Sequence, residues 1–117
     1  MIEKEITIGG KKVKIGYCFA TELVFKQFTG VNIEDMDMQN PEHIIYFILS
    51  AIIAYYEDSC EQSPVKDTDL MYKAKPAELV AALTEVLKIR AEWYEVPKGD
   101  DEKPADKSDG SGDEKNV

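Results

Sequence analysis

Side chains that do chemistry are scarce in this chain. Its 117 residues include two cysteines, one histidine and one arginine. Nucleophilic catalysis needs a base beside the nucleophile, and the sole imidazole, His43, falls early in a predicted helix, where a neutral or solvated histidine is ordinary. A structural zinc site needs four soft or imidazole ligands close in space, which Cys18, Cys60 and His43 are too few to supply. The cysteines stand alone in sequence, a pattern that fits reduced thiols of a cytosolic protein better than a disulfide framework, although one bridge between them stays open. The longest hydrophobic run, Ile44 to Tyr56, is apolar except at Ser50, and at 1.5 Å per residue it is too short to cross roughly 30 Å of hydrocarbon. Met1 is not followed by a basic segment and an apolar run, so no secretory signal is expected and the mature chain is expected to start there.

Other familiar sites fail on spacing. A phosphate-cradling loop needs Ser or Thr after its lysine, whereas Gly10-Lys11 is followed by Lys12. Asp35-x-Asp37 opens like a calcium loop, but Asn40 stands where the sharp turn needs glycine and Tyr46 where a bidentate glutamate belongs. Glu57, Asp58 and Glu61 read as a solvated helix end, and Asp67-x-Asp69 as a helix start. No catalytic, cofactor-binding or metal-binding residue is predicted, and the chain is not expected to be an enzyme.

Charge is abundant and one-sided. The net charge is −9, with a pI of about 4.6. Nucleic-acid binders gain affinity from clustered Lys and Arg, so an acidic chain disfavours phosphate backbones and anionic membranes alike. Residues 97–117 hold only Ala105 and Val117 as apolar side chains and no aromatic, too little to offset chain entropy. This divides the chain into one domain over 1–96, large enough for a real core, and an acidic tail over 97–117 expected to be disordered.

Within the domain, Ile2, Ile6, Ile8, Val13, Ile15 and Tyr17 alternate with Glu3, Glu5, Thr7, Lys12 and Lys14, predicting a half-buried β-hairpin. Gly9-Gly10 supplies its tight turn and would set Glu5 across from Lys14. A helix is predicted over about Ala20 to Thr29, closed by Gly30, with Val24, Phe25 and Phe28 as its core stripe. Asn40-Pro41-Glu42 starts a second helix running to about Asp58, apolar almost all round and therefore needing cover from other elements or another subunit. Asp67-Thr68 caps a short helix through about Ala74, and Pro76 starts a longer one to about Glu95. In that last helix Leu79, Val80, Leu83, Val86, Leu87, Arg90 and Tyr94 follow helical spacing. The predicted class is α+β: an N-terminal hairpin packed on a small bundle of about four helices. Tyr55, Tyr56, Trp93 and Tyr94 crowd the ends of the two long helices. Such amphipathic rings are the candidate protein-binding residues, with a shared core cluster as the competing role.

One stretch carries a resemblance. The hairpin is followed by Tyr17-Cys18-Phe19-Ala20-Thr21-Glu22-Leu23-Val24-Phe25-Lys26-Gln27-Phe28-Thr29-Gly30, then by Val31-Asn32-Ile33-Glu34-Asp35-Met36. Next come the Ile45 to Tyr56 helix, the Pro64-Val65 break and the Ala77 to Tyr94 helix. Over residues 1–96 this order resembles the phage tail assembly chaperones. The resemblance implies a cytoplasmic assembly factor of a long-tailed phage or prophage, absent from the mature virion and needing no cofactor. Its partner would be the long, helical, apolar tape measure protein, held soluble while tail tube protein polymerises around it. A frameshifted longer product that engages tail tube protein is a further implication, and self-association through apolar helix faces a plausible addition. Two other classes remain: an acidic inhibitor that mimics DNA, which would need carboxylates in rows at phosphate-like spacing, and a structural tail connector, which would be found in virions.

Overall fold

The computed structural model describes residues 1–95, so the expected tail over 97–117 lies outside the described residues. The hairpin forms where its alternation places it, with β1 at Ile2–Ile8 and β2 at Lys11–Tyr17, antiparallel and with Glu5 facing Lys14. Gly9 and Gly10 both take positive φ, +59° and +77°, the conformation a two-residue turn of this twist demands and glycine adopts without steric cost.

Four α-helices follow. α1 spans Phe19–Thr29, α2 Pro41–Asp58, α3 Asp67–Tyr72 and α4 Pro76–Tyr94, with a 3₁₀ turn at Ile33–Asp35 between the first two. Three of the starts share one device, in which a side-chain oxygen in the first turn accepts the N–H of the residue before the helix. Thr21 Oγ1 accepts from Cys18 at 3.2 Å, Asp69 from Lys66 at 2.8 Å and Glu78 from Lys75 at 2.9 Å. α2 instead uses Asn40, whose Oδ1 accepts from the Glu42 N–H at 2.9 Å, followed by Pro41. The carboxylate closing the start of α3 is therefore Asp69, not Asp67, which takes the Tyr46 hydroxyl at 3.0 Å. α3 also ends at Tyr72, two residues short of the expected Ala74.

The C-terminal ends differ. α1 closes on Gly30 at φ +74°, whereas α2 turns left-handed at Cys60, φ +59°, where Glu61 N–H reaches back to the Tyr56 carbonyl at 2.7 Å. A non-glycine residue there carries a strain on the order of 1 kcal/mol.

A single core joins the layers. The inner face of the hairpin (Ile6, Ile8, Val13, Ile15, Tyr17) packs in one cluster with Phe47, Ile48, Ala51 and Ile52 of α2 and Ala82, Val86 and Ile89 of α4. α4 lies along β1, and α2 against β2 and α1. Phe47 is its centre, with Tyr17 and Phe25 edge-on at 6.4 and 6.1 Å between ring centroids. The apolar α2 thus finds cover within one chain over Phe47 to Ile52 and at Ala54, while its first turns stay partly open. Ser50, the one interruption of its Ile44 to Tyr56 apolar run, is buried with its hydroxyl donating to the Tyr46 carbonyl at 2.5 Å. His43 is structural as well: its Nδ1 accepts the Asp37 N–H at 2.9 Å, and its ring lies edge-on to Phe25.

Two predicted stripes shift. Of the predicted α1 stripe only Phe25 is fully buried, while Phe28 is 43% exposed and stacks on Tyr46 at 4.8 Å. On α4 the face against the hairpin is Ala82, Val86 and Ile89, and Val80, Leu87 and Tyr94 point outward. The cause is geometric. α4 meets the hairpin along the line of Ala82, Val86 and Ile89, and the larger Leu79 and Leu83 pack half-buried beside it.

Candidate docking surface

The four aromatics singled out by sequence split into two groups. Tyr55 and Tyr56 meet edge to face at 4.9 Å and both turn to β2. The Tyr56 hydroxyl accepts the Lys14 N–H at 3.1 Å, and the Lys14 ammonium stands 6.0 Å from the Tyr55 ring centroid. At Gly16 an added Cβ would run into the Met1 side chain and would sit in contact with Tyr55 Cβ at 3.4 Å.

Trp93 and Tyr94 turn to α1 instead. Trp93 meets Phe19 edge-on at 5.6 Å, and Phe19 itself is 66% exposed. The Tyr94 and Tyr17 hydroxyls both donate to Glu22 Oε2, the latter at 2.8 Å, and the Arg90 guanidinium lies 5.1 Å from the Tyr94 ring centroid. Burial, then the adjacent Glu22 carboxylate, hold the Tyr17 phenol well above its ordinary range, because ionising it would place a second negative charge beside the first. For Tyr94 the Glu22 hydrogen bond leads and burial follows, in the same direction. These groups fasten the end of α4 to α1 and β2. The arrangement is an anchor, and it shows no nucleophile paired with a base.

A surface of different character lies between the N-terminal halves of α2 and α4. There Pro41, Ile44 and Ile45 face Leu79, Val80 and Leu83 across an open groove of about 270 Å³. No charged or hydrogen-bonding side chain lines it. Val80, 65% exposed, forms its outer lip. Helical spacing puts Val80 and Leu83 on one apolar stripe of α4; Leu83 packs half-buried against the core, and Val80 stands out from it. The stripe has the ordinary width of a helix packed on a core, so spacing alone does not mark its N-terminal half as open.

Among the described residues, no group of three His, Cys, Asp or Glu side chains stands close enough to hold a metal ion, and both cysteines are free. No described helix is long and apolar enough to cross a membrane. Compared with protein-family models, with curated proteins and with solved structures, the chain matches none.

Proposed function

We propose that the protein is a tail assembly chaperone of a long-tailed phage or prophage, acting in the host cytoplasm by holding apolar helices of the tape measure protein while tail tube subunits assemble. The observation that carries this reading is the α2–α4 groove. Apolar walls at Ile44, Ile45, Leu79, Val80 and Leu83, open on one side, accept an amphipathic helix through anchors spaced three and four residues apart. The net charge of −9 supports the same reading, since like-charge repulsion keeps copies apart while apolar surface is exposed. Binding of this kind is reversible and needs no cofactor.

Coexpression with the tape measure protein encoded nearby tests the proposal. The tape measure stays soluble and copurifies with the wild-type chain, whereas Val80→Asp, a change at an exposed lip, loses copurification and keeps its thermal midpoint. Equal aggregation with and without the chain, together with no copurification, overturns the reading.

A further inference from the structure

The two edges of the hairpin are not alike. Lys14 turns its N–H outward to Tyr56, so the Glu5–Lys14 pair is not hydrogen-bonded across the hairpin. By the alternation of an antiparallel ladder, Glu3–Gly16 and Thr7–Lys12 are likewise outward-facing pairs. On β2 that edge is met by α2. On β1 the outward N–H and C=O groups of Glu3, Glu5 and Thr7 have no hydrogen-bond partner among the described residues. Beside them runs a cleft of about 370 Å³ between Glu5, Ile6 and Thr7 of β1 and Ala77, Ala81 and Glu85 of α4. Its helix wall is shallow because alanines stand one turn apart. Glu85 Oε1 in that wall is shielded from solvent and accepts no hydrogen bond. Lys4 Nζ stands 3.8 Å away, and Lys88 approaches the other oxygen at 3.7 Å.

We propose that the open edge of β1 is a strand-addition site for an extended, basic segment of a partner polypeptide. Main-chain hydrogen bonds to Glu3, Glu5 and Thr7 supply the affinity, and the alternation of the incoming strand supplies the selection. Its outward residues lie beside Glu3 and Glu5 and are therefore Lys or Arg. Its inward residues lie over Ala77 and Ala81 and are small or β-branched, and a donor among them satisfies Glu85. A second copy of this chain is the wrong occupant. A two-fold antiparallel β1–β1 pairing sets Glu5 against Glu5 in one register and Glu3 against Glu5 with Lys4 against Lys4 in the next, and the register centred on Ile6, which opposes no like charges, leaves the Glu3 groups unpaired. Residues 96–117, with seven acids to four lysines, are repelled for the same reason. This site is separate from the α2–α4 groove.

The probe is a synthetic peptide alternating lysine and valine, titrated into the full chain at moderate salt and followed by amide chemical shifts and hydrogen exchange. Expected are slowed exchange at Glu3, Glu5 and Thr7 and loss of binding by about tenfold or more in Glu3→Lys/Glu5→Lys. Ala81→Leu, which fills the cleft from an exposed helix position, weakens binding without touching the strand, and Val80→Asp leaves binding unchanged. A peptide with the same charges but N-methylated at alternate residues fails to bind. Equal binding by the methylated peptide means charge attraction alone and overturns the proposal. So does peptide-induced change confined to the α2–α4 groove, or concentration-dependent protection of the β1 edge in the chain by itself.

Discussion

The β2 edge of the hairpin is met from within the chain at Lys14 and Gly16, whereas the β1 edge is left open. β2 receives α2, with Tyr56 accepting the Lys14 N–H and Tyr55 lying over the side-chain-free surface of Gly16. β1 receives α4 on its face only, and its margin ends at a cleft floored by alanines. Open strand edges template pairing, and the charges beside them set which strands they admit. Here Lys4 occupies a position that alternation would give to an apolar residue, and it reaches Glu85. A two-stranded sheet on its own is marginal in water, so the contacts at the β2 edge, the face packing and the turn together keep this one folded.

Four measurements test that contrast. Phe47→Ala removes the ring that seats α2 on Tyr17 and should cost about 3–5 kcal/mol in urea unfolding. The Lys14 amide should then exchange nearly as fast as that of Glu5. Gly16→Val must push the Met1 side chain aside and crowd Tyr55, and should cost about 1–3 kcal/mol, while a valine at Thr7, the exposed counterpart on the open edge, stays within about 0.5 kcal/mol of wild type.

Glu78 holds the turn that joins the two edges, accepting from Gly9 and Gly10 at 2.8 and 3.0 Å as well as from Lys75. The Lys75, Gly9 and Gly10 N–H groups hold its carboxyl below the usual value of 4.5. A depressed folded pKa means that its stabilisation is fully present above pH 4.5 and fades as pH falls through the lower folded value. Glu78→Gln should therefore be less stable than wild type at neutral pH, with the gap narrowing in acid. Equal gaps at pH 7 and pH 3 would show that the charge contributes nothing. The smallest effect is expected from Tyr56→Phe, at about 1 kcal/mol or less, visible as faster exchange at Lys14 with no change at Glu3 or Thr7.

Much of the fold is legible in the sequence because it depends on local rules. Alternation with Gly9-Gly10 fixes the hairpin and its register, and Asn40-Pro41 and Gly30 mark helix ends within a residue. The errors lie where tertiary contacts decide. Periodicity on α4 gives a stripe but not its centre, and Ala82, fully buried, carries too weak a hydrophobic signal to mark the face against β1. Asp67 and Asp69 are equally good caps by type, and only the position of Tyr46 separates their roles. Tyr55, Tyr56, Trp93 and Tyr94 read as one cluster because both helices end in aromatics, yet the two ends meet different neighbours. The α2–α4 groove and the β1 edge are spaces between elements, and spacing along a chain says little about the gaps left after packing.

The Glu78 clamp also bears on how the molecule assembles itself. Its bonds to Gly10 and Gly9 join residues 68 and 69 positions apart, and the whole of β1 finds its cover in the last helix. Contacts of such long sequence separation need their loop-closure entropy met before they give anything back, which slows folding. On the ribosome, β2 can meet α2 early, but β1 waits for its cover until α4 has been synthesised, so completion of the native state is a late event in translation.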